Sequence, residues 1–337
     1  MVALSLPRST TIYKLGGTET LRASSAAFLD TYGGNLQNVS DEMRRMFRAD
    51  AGYKLVQVDQ SGAEALIVAY LCQKAKFRDL FLHGVKPHVF VAMNMFMDKW
   101  CSVCKDIDVR SFGNTPIPEL KKREGWKMLD GIIKESDKWK PQERYYYIAK
   151  MVCHASNYGI RGNAFRMNVL EKSKGKIVLT KQQAETYLSQ YHGLFPEIRR
   201  WHMEVEDQLR MTGMLFNLHG FPRINTGMLD DYNMKDWYAF IPQSTVGCIT
   251  HVAITKLQQF IRDNKRNWTL LNNCHDSYLC QCPPDETTEC AALMRQFMEQ
   301  DLTNFRGEKF KMRSEASVGT NWGKYKKDKN EEGMKEL

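Results

Sequence analysis

Two short apolar runs each end in an aspartate, and a segment of helical composition rich in polar side chains lies between them. The first run reads Tyr53-Lys-Leu-Val-Gln-Val-Asp59, the second Leu270-Leu-Asn-Asn-Cys-His275-Asp276-Ser-Tyr-Leu279. Each has the pattern of a strand that delivers a carboxylate to its end or to a tight turn. Two carboxylates brought together in this way can hold two divalent metals, which stabilise the attacking and leaving oxygens of a phosphoryl transfer.

At 337 residues the chain is long enough for a large core and for two or three subdomains. Its formal charge of +9 suits a polyanionic partner such as nucleic acid, although many basic proteins bind none. Nine cysteines without framework spacing point to reduced thiols and a cytoplasmic setting, that of a bacterial host if a phage encodes the chain. No apolar stretch approaches the ~18 residues that span a bilayer, so no membrane partner is expected. The first residues lack the pattern of a signal peptide.

Gly16-Gly17 and Gly33-Gly34 mark turns in a first segment of short extended pieces. Residues 63–72 read as a buried helix and residues 88–97 as another. Residues 99–140 are polar and rich in Trp and Lys, with a turn at 113–118. The helical stretch from Arg144 to Tyr158 stops at Gly159. Further helices flank Pro196 and fill residues 235–262 and 286–303. Hairpins are expected around Gly220 and at Asp276, and a last strand near 310–318. Widely spaced strands alternating with helices imply an α+β fold, an antiparallel sheet covered by helices on one face with a mostly helical insertion at 70–200.

Three constellations carry chemistry. In Asp59-Gln-Ser-Gly-Ala-Glu64, Asp59 closes the strand and Glu64 enters the first helical turn; an acidic helix start complementing the dipole explains this equally well. Lys150, His154 and Tyr158 advance in steps of four, so they form one helical stripe of ammonium, imidazole and phenol. Such a stripe can grip a phosphorylated aromatic ligand, yet from spacing alone a solvated face with Tyr158 turned inward is the better reading. A lone His275-Asp276 pair is more often a turn than a site. Cys101-x2-Cys104 has half the spacing of a zinc site without a matching second pair, so unliganded thiols are favoured.

In this order the three constellations resemble those of family A DNA polymerases. Asp59-Gln-Ser-x-x-Glu64 is similar to that family's motif A, Lys150 to Gly159 to motif B, and His275-Asp276 to motif C. Leu21-Arg22-Ala-Ser-Ser, Asn35-Leu-Gln-Asn-Val39, Pro87-His88, Pro242-Gln243-Ser-Thr and Val318-Gly-x-Asn-Trp322 extend the resemblance over residues 12–322.

The resemblance implies a palm at 1–72, helical fingers at 73–200, the rest of the palm at 201–322, and a charged tail at 323–337 expected to be disordered. It implies a DNA-directed DNA polymerase acting on primer–template DNA and deoxynucleoside triphosphates. Asp59, Asp276 and the Gln60 carbonyl would bind two Mg²⁺ ions. Lys150 and His88 would contact the triphosphate, and Tyr158 would stack near a base. Glu64 beside Tyr158 would exclude a 2′-hydroxyl, Arg22 and Gln243 would touch the minor groove, and His275 would lie near the primer terminus. The departures are Tyr146 where the family carries Arg, His154 where it has Phe or Tyr, and Ser277 for Glu. Arg144 lies about a third of a turn off the stripe, and Arg161 could help the phosphate grip. The family's exonuclease-like domain and thumb are not expected in this sequence, so either a separate polypeptide supplies them, as in a split replicase, or the chain is a truncated product. Two rivals are an inactive nucleic-acid-binding remnant and a metal-dependent nuclease.

Overall fold

The computed structural model describes residues 11–14, 18–26, 34–230 and 233–337, so the turns at Gly16-Gly17 and at Gly33 lie outside the described residues. The elements that matter for the site are strand β1 (Lys54–Gln60) and helices α1 (Ala63–Leu71), α2 (Pro87–Met95), α3 (Tyr145–Asn157), α4 (Lys181–Leu194), α5 (Pro196–Thr212) and α6 (Met234–Asp263). They continue with strands β2 (Thr269–Cys274) and β3 (Ser277–Cys282), helix α7 (Thr287–Met298) and strands β4 (Ser314–Gly319) and β5 (Lys335–Glu336). The chain forms two compact units: one of Met1–Glu64, Phe216–Arg223 and Phe240–Leu337, the other of Ala65–Leu215 and Ile224–Ala239. The division falls at residue 64 rather than 72 and at 215 rather than 200, with 224–239 returning to the second unit.

The first unit is built on an antiparallel sheet in the order β5-β4-β1-β3-β2. Alternation along β1 sends Val56, Val58 and Gln60 to one face and Leu55, Gln57 and Asp59 to the other. Helix α7 packs on the sheet, with the Tyr278 hydroxyl of β3 donating to the Met294 carbonyl at 2.7 Å. The second face carries a cluster of Leu55, Leu279, Cys274, Trp322 and Met334, joined by Val39, Phe47 and Ala49. Trp322 Nε1 donates to Gln57 Oε1 at 2.9 Å, which leaves the Asp59 end of that face for solvent.

The second unit is helical. Helix α2 runs along α3, and α4 packs on both. Its core is aromatic: Phe77 and Phe195 meet at 5.0 Å between ring centres, and Tyr191 and Phe195 at 5.1 Å. Pro87 and Pro196 occupy first turns, where no intrahelical N–H is missed. The polar stretch 99–140 is mostly helical; in Trp126–Glu135 the buried residues Trp126, Leu129 and Ile133 share a face.

Four sequence expectations need correction. The helix at 286–303 stops at Met298, because Asp301–Thr303 pairs with Lys309–Lys311, and the last strand of the core sheet starts only at Ser314. Tyr158 caps α3 rather than extending it. The tail is ordered: β5 pairs with β4, Lys324 bridges Met334, and Met334 is 8% exposed. Its charge hid one apolar anchor. Met334→Ala should cost about 2–3 kcal/mol through the cavity it leaves. Urea melts check this, and a loss under about 0.5 kcal/mol would mean the tail does not share the core.

Candidate active site

Asp59 faces Ser277 across the β1–β3 ladder, so Asp276, one residue earlier at the hairpin turn, stands diagonally beside it. The Gln60 N–H donates to the Asp276 carbonyl at 3.0 Å and ties the strand end to the turn. In that two-residue turn His275 has φ +60° and Asp276 has no positive φ, the pattern of a type II′ turn that glycine ordinarily occupies. A histidine held there carries about 1 kcal/mol of backbone strain. Strain of that kind persists only where the surroundings over-determine it.

Those surroundings are one face of α6. Gln243, Gly247 and Thr250 recur at steps of four and three, so they line the same side. The buried Gln60 amide donates to Thr250 Oγ1 at 2.8 Å, and Thr250 Oγ1 lies 3.2 Å from the His275 carbonyl. Arg22 packs its stem against Gly247 and forms an ion pair with Glu64. Within the first unit the structure thus gathers Asp59, Gln60, Asp276, His275, Arg22, Glu64 and Gln243. The two side chains given separate duties by sequence, Arg22 for DNA and Glu64 for the sugar, are bonded to each other.

Asp59 is pushed up to about 7, by loss of water first and then by the charges of Asp276 and Glu315, while Arg44 and Lys324 oppose the rise. Burial likewise raises Asp276, and its own backbone N–H and Arg22 offset part of the effect. Partial enclosure and Arg22 lower His275, which keeps its imidazole neutral at pH 7. Glu315 lies opposite Asp59 on β4, with Ser61 Oγ donating to it at 2.9 Å. Sequence reasoning missed Glu315, Thr250, Arg44 and Lys324. Strand alternation could have flagged Glu315, but only once the β1–β4 register was known.

In the second unit His88 on α2 and Tyr146 on α3 meet edge-to-face at 6.2 Å. Lys150 Nζ lies 5.8 Å from the Tyr146 ring centre, and His154 contacts Tyr158 at 5.1 Å. Lys150 and His154 are exposed, and Tyr158 is buried. His88 is lowered to about 4, by desolvation and then by Lys150, so its imidazole is neutral at pH 7. Arg144 is turned away: it bonds Asp137 and lies over Tyr147 at 4.6 Å. The end of α3 is held firmly. Gly159 takes φ +66° and closes a Schellman motif, Ile160 N–H bonding the Ala155 carbonyl at 2.9 Å. A Cβ there would sit 2.8 Å from Tyr238, so no other residue fits.

Among the described residues no group of three or more His, Cys, Asp or Glu side chains is arranged to hold a metal. No described cysteine, Cys101 and Cys104 included, is in a disulfide. No helix of the described residues is long and apolar enough to cross a membrane.

A family model described as DNA polymerase family A matches residues 131–324. The thermostable DNA polymerase I of Thermus thermophilus is 24% identical over 290 residues, covering 82% of this chain and 29% of the relative. DNA polymerase I of Treponema pallidum is 21% identical over 92% of this chain and 27% of its own length. A DNA polymerase of Bacillus phage SP01 is 22% identical over 44% of this chain and 17% of its own. The chain thus spans less than a third of the curated relatives it matches. Among solved structures, the POL domain of Pol1 from M. smegmatis, in complex with DNA primer-template and dNTP, superposes with a TM-score of 0.66 at 20% identity. It covers 93% of this chain and 48% of that one, and shares the fold.

Because folding raises the Asp59 carboxyl above its unfolded value, the metal-free protein loses stability as pH climbs from about 4 towards about 7 and then levels off. Asp59→Asn should flatten that slope and raise the melting temperature at pH 8. Thermal melts between pH 4.5 and 8 check it; an unchanged slope would show that the carboxylates do not strain one another.

Proposed function

The chain belongs to DNA polymerase family A, and from that premise we propose that it is a DNA-directed DNA polymerase, adding deoxynucleotides to a primer 3′-hydroxyl. The observation that carries this reading is the pair Asp59 and Asp276 on adjoining strand ends, each raised by burial, with Asp276 and Glu315 adding to the rise at Asp59. Crowded carboxylates at a solvent-facing strand end fit hard divalent cations, whose charge relieves the repulsion. Asp59, Asp276 and the Gln60 carbonyl would hold Mg²⁺, the remaining ligands coming from the triphosphate and water. Two such ions, when bound, supply charge stabilisation at the entering and leaving oxygens.

The chain's own residues do the rest. In this reading the first unit is the palm and the second the fingers. Lys150 offers an exposed ammonium to the triphosphate, and neutral His88 donates a hydrogen bond beside it. Tyr146 holds both in place, where the family's Arg would have added a charge. Tyr158, pinned at the helix end, offers a ring to the base, with His154 against its edge. Arg22 and Gln243, on one side of α6, reach the acceptors present in the minor groove of every correct base pair. Glu64 stands at the sugar, and His275 at the primer terminus.

The remnant and nuclease readings explain the carboxylates less completely, because neither requires the His88–Lys150–His154 group. Incubation with primer–template, Mg²⁺ and one labelled deoxynucleotide should extend the primer by one residue. Asp276→Asn should reduce the rate by about three orders of magnitude, several kcal/mol at 1.36 kcal/mol per tenfold. Primer shortening instead of extension would identify a nuclease, and binding without either reaction a remnant.

Glu64→Ala should lower the preference for deoxy- over ribonucleotides by at least about tenfold, roughly the 1.4 kcal/mol of one lost steric or hydrogen-bonding discrimination. The comparison is between paired dNTP and rNTP kcat/KM values, and equal ratios in both proteins would remove Glu64 from sugar selection.

A further inference from the structure

Residues 323–337 fold back onto the sheet face that carries Asp59. Met334 packs over Leu55, four residues or about 13 Å along β1 from Asp59. The fold-back is tightly built. Asn321 Nδ2 donates to Asn330 Oδ1 at 2.8 Å, and Asn330 Nδ2 returns the bond to Asn321 Oδ1 at 3.1 Å. Asn330 Nδ2 also donates to the Lys324 carbonyl at 3.0 Å, and the Met334 N–H to the Gly323 carbonyl at 2.7 Å. A Cβ on Gly333 would lie 2.5 Å from that same carbonyl, so the two strands of the fold-back touch through bare backbone.

What this scaffold presents is a closed turn, bridged from Lys326 to Asn330, with Asp328 in the left-handed region at φ +62°. Lys324, Lys326, Lys327 and Lys329 are all exposed on it. Lys324 is engaged by Asp41 at 3.5 Å, and nearby Arg48 by Glu332 at 2.8 Å. Among the described residues no acid forms an ion pair with Lys326, Lys327 or Lys329. The acidic side chains of the fold-back are Asp328, Glu331, Glu332 and Glu336, against five lysines. Arg44, stacked on Trp322 at 4.6 Å, and Lys324 both act on the charge of Asp59, so the basic groups belong to the catalytic side of the unit. A solvated lysine run needs no reciprocal amide pair and no backbone-to-backbone closure. Here the backbone of the turn is fixed, and Lys326, Lys327 and Lys329 stand on it without an ion pair among the described residues.

We infer that the turn Lys324–Lys329 is a docking surface for the phosphate backbone of a nucleic-acid duplex, with Lys326, Lys327 and Lys329 as its contacts. The inference rests on the polymerase reading for the placement of the duplex end at Asp59 and Asp276. The family match ends at residue 324, where the turn begins, so the family's own motifs do not include this surface.

The test is the salt dependence of binding to a labelled primer–template, measured on the whole chain and on the variant Lys326→Gln/Lys327→Gln/Lys329→Gln. Each lost phosphate contact removes about 0.9 from the slope of log K against log salt, so the triple variant should be shallower by about 2–3. Single-turnover incorporation at saturating DNA and the KM for the deoxynucleotide should stay unchanged. If the triple variant melts early, Lys327→Gln alone should lower the slope by about 0.9. A slope equal to that of the parent chain overturns the inference, and the turn then serves another anionic partner or none. The slope is read without turnover. A parent chain that binds DNA but incorporates nothing overturns the polymerase reading, and the slope difference still decides this one.

Discussion

Everything chemical in the first unit depends on one strand pairing. Because β1 and β3 are antiparallel neighbours with Asp59 opposite Ser277, the carboxylates of two segments more than 200 residues apart in sequence come to lie at one sheet end. The pairing creates an electrostatic cost at the same time. Burial raises both acids, Asp276 and Glu315 add to the rise at Asp59, and Glu64 adds to that at Asp276. The hydrophobic cluster of Leu55, Leu279, Trp322 and Met334, four residues down the same face, holds the sheet together against that repulsion. The apolar packing thus lies towards one end of β1 and the crowded carboxylates at the other.

The second constraint is the α6 face. Thr250 receives the Gln60 amide and contacts the His275 carbonyl, so one hydroxyl couples the end of β1 to the strained turn. Arg22 is held against the same helix and engages Glu64. In this state the arginine engages a carboxylate, and under the proposed roles a duplex reaching Arg22 would compete with Glu64 for it, which would link the two contacts.

Much of this was legible in the sequence. Apolar runs ending at Asp59 and Asp276 gave strands in the expected places, and Gly159 closed α3 as its position suggested, because these signals are local. The inward packing of Tyr158 was also foreseeable from the helix stripe, and the structure bears it out. What stayed hidden is non-local. Glu315 matters only through its register with Asp59, and nothing in the sequence pairs the Arg22 segment with Glu64. The tail misled because low apolar content mimics disorder. A single methionine, two contacting glycines and an asparagine pair suffice to order it, and none of these stands out in composition. Tyr146 was visible as a departure, but its place between His88 and Lys150 emerged only from the packing of α2 on α3.

The central claim is that Asp59 and Asp276 jointly hold the metals of nucleotidyl transfer. Anomalous diffraction from Mn²⁺, in crystals of the chain with primer–template and a non-hydrolysable deoxynucleoside triphosphate, addresses it most directly. The expected result is two anomalous peaks, each within about 2.0–2.3 Å of oxygens from Asp59 or Asp276, with the triphosphate bound to one of them. Manganese bound elsewhere, or a triphosphate seated with no metal at either aspartate, would contradict it.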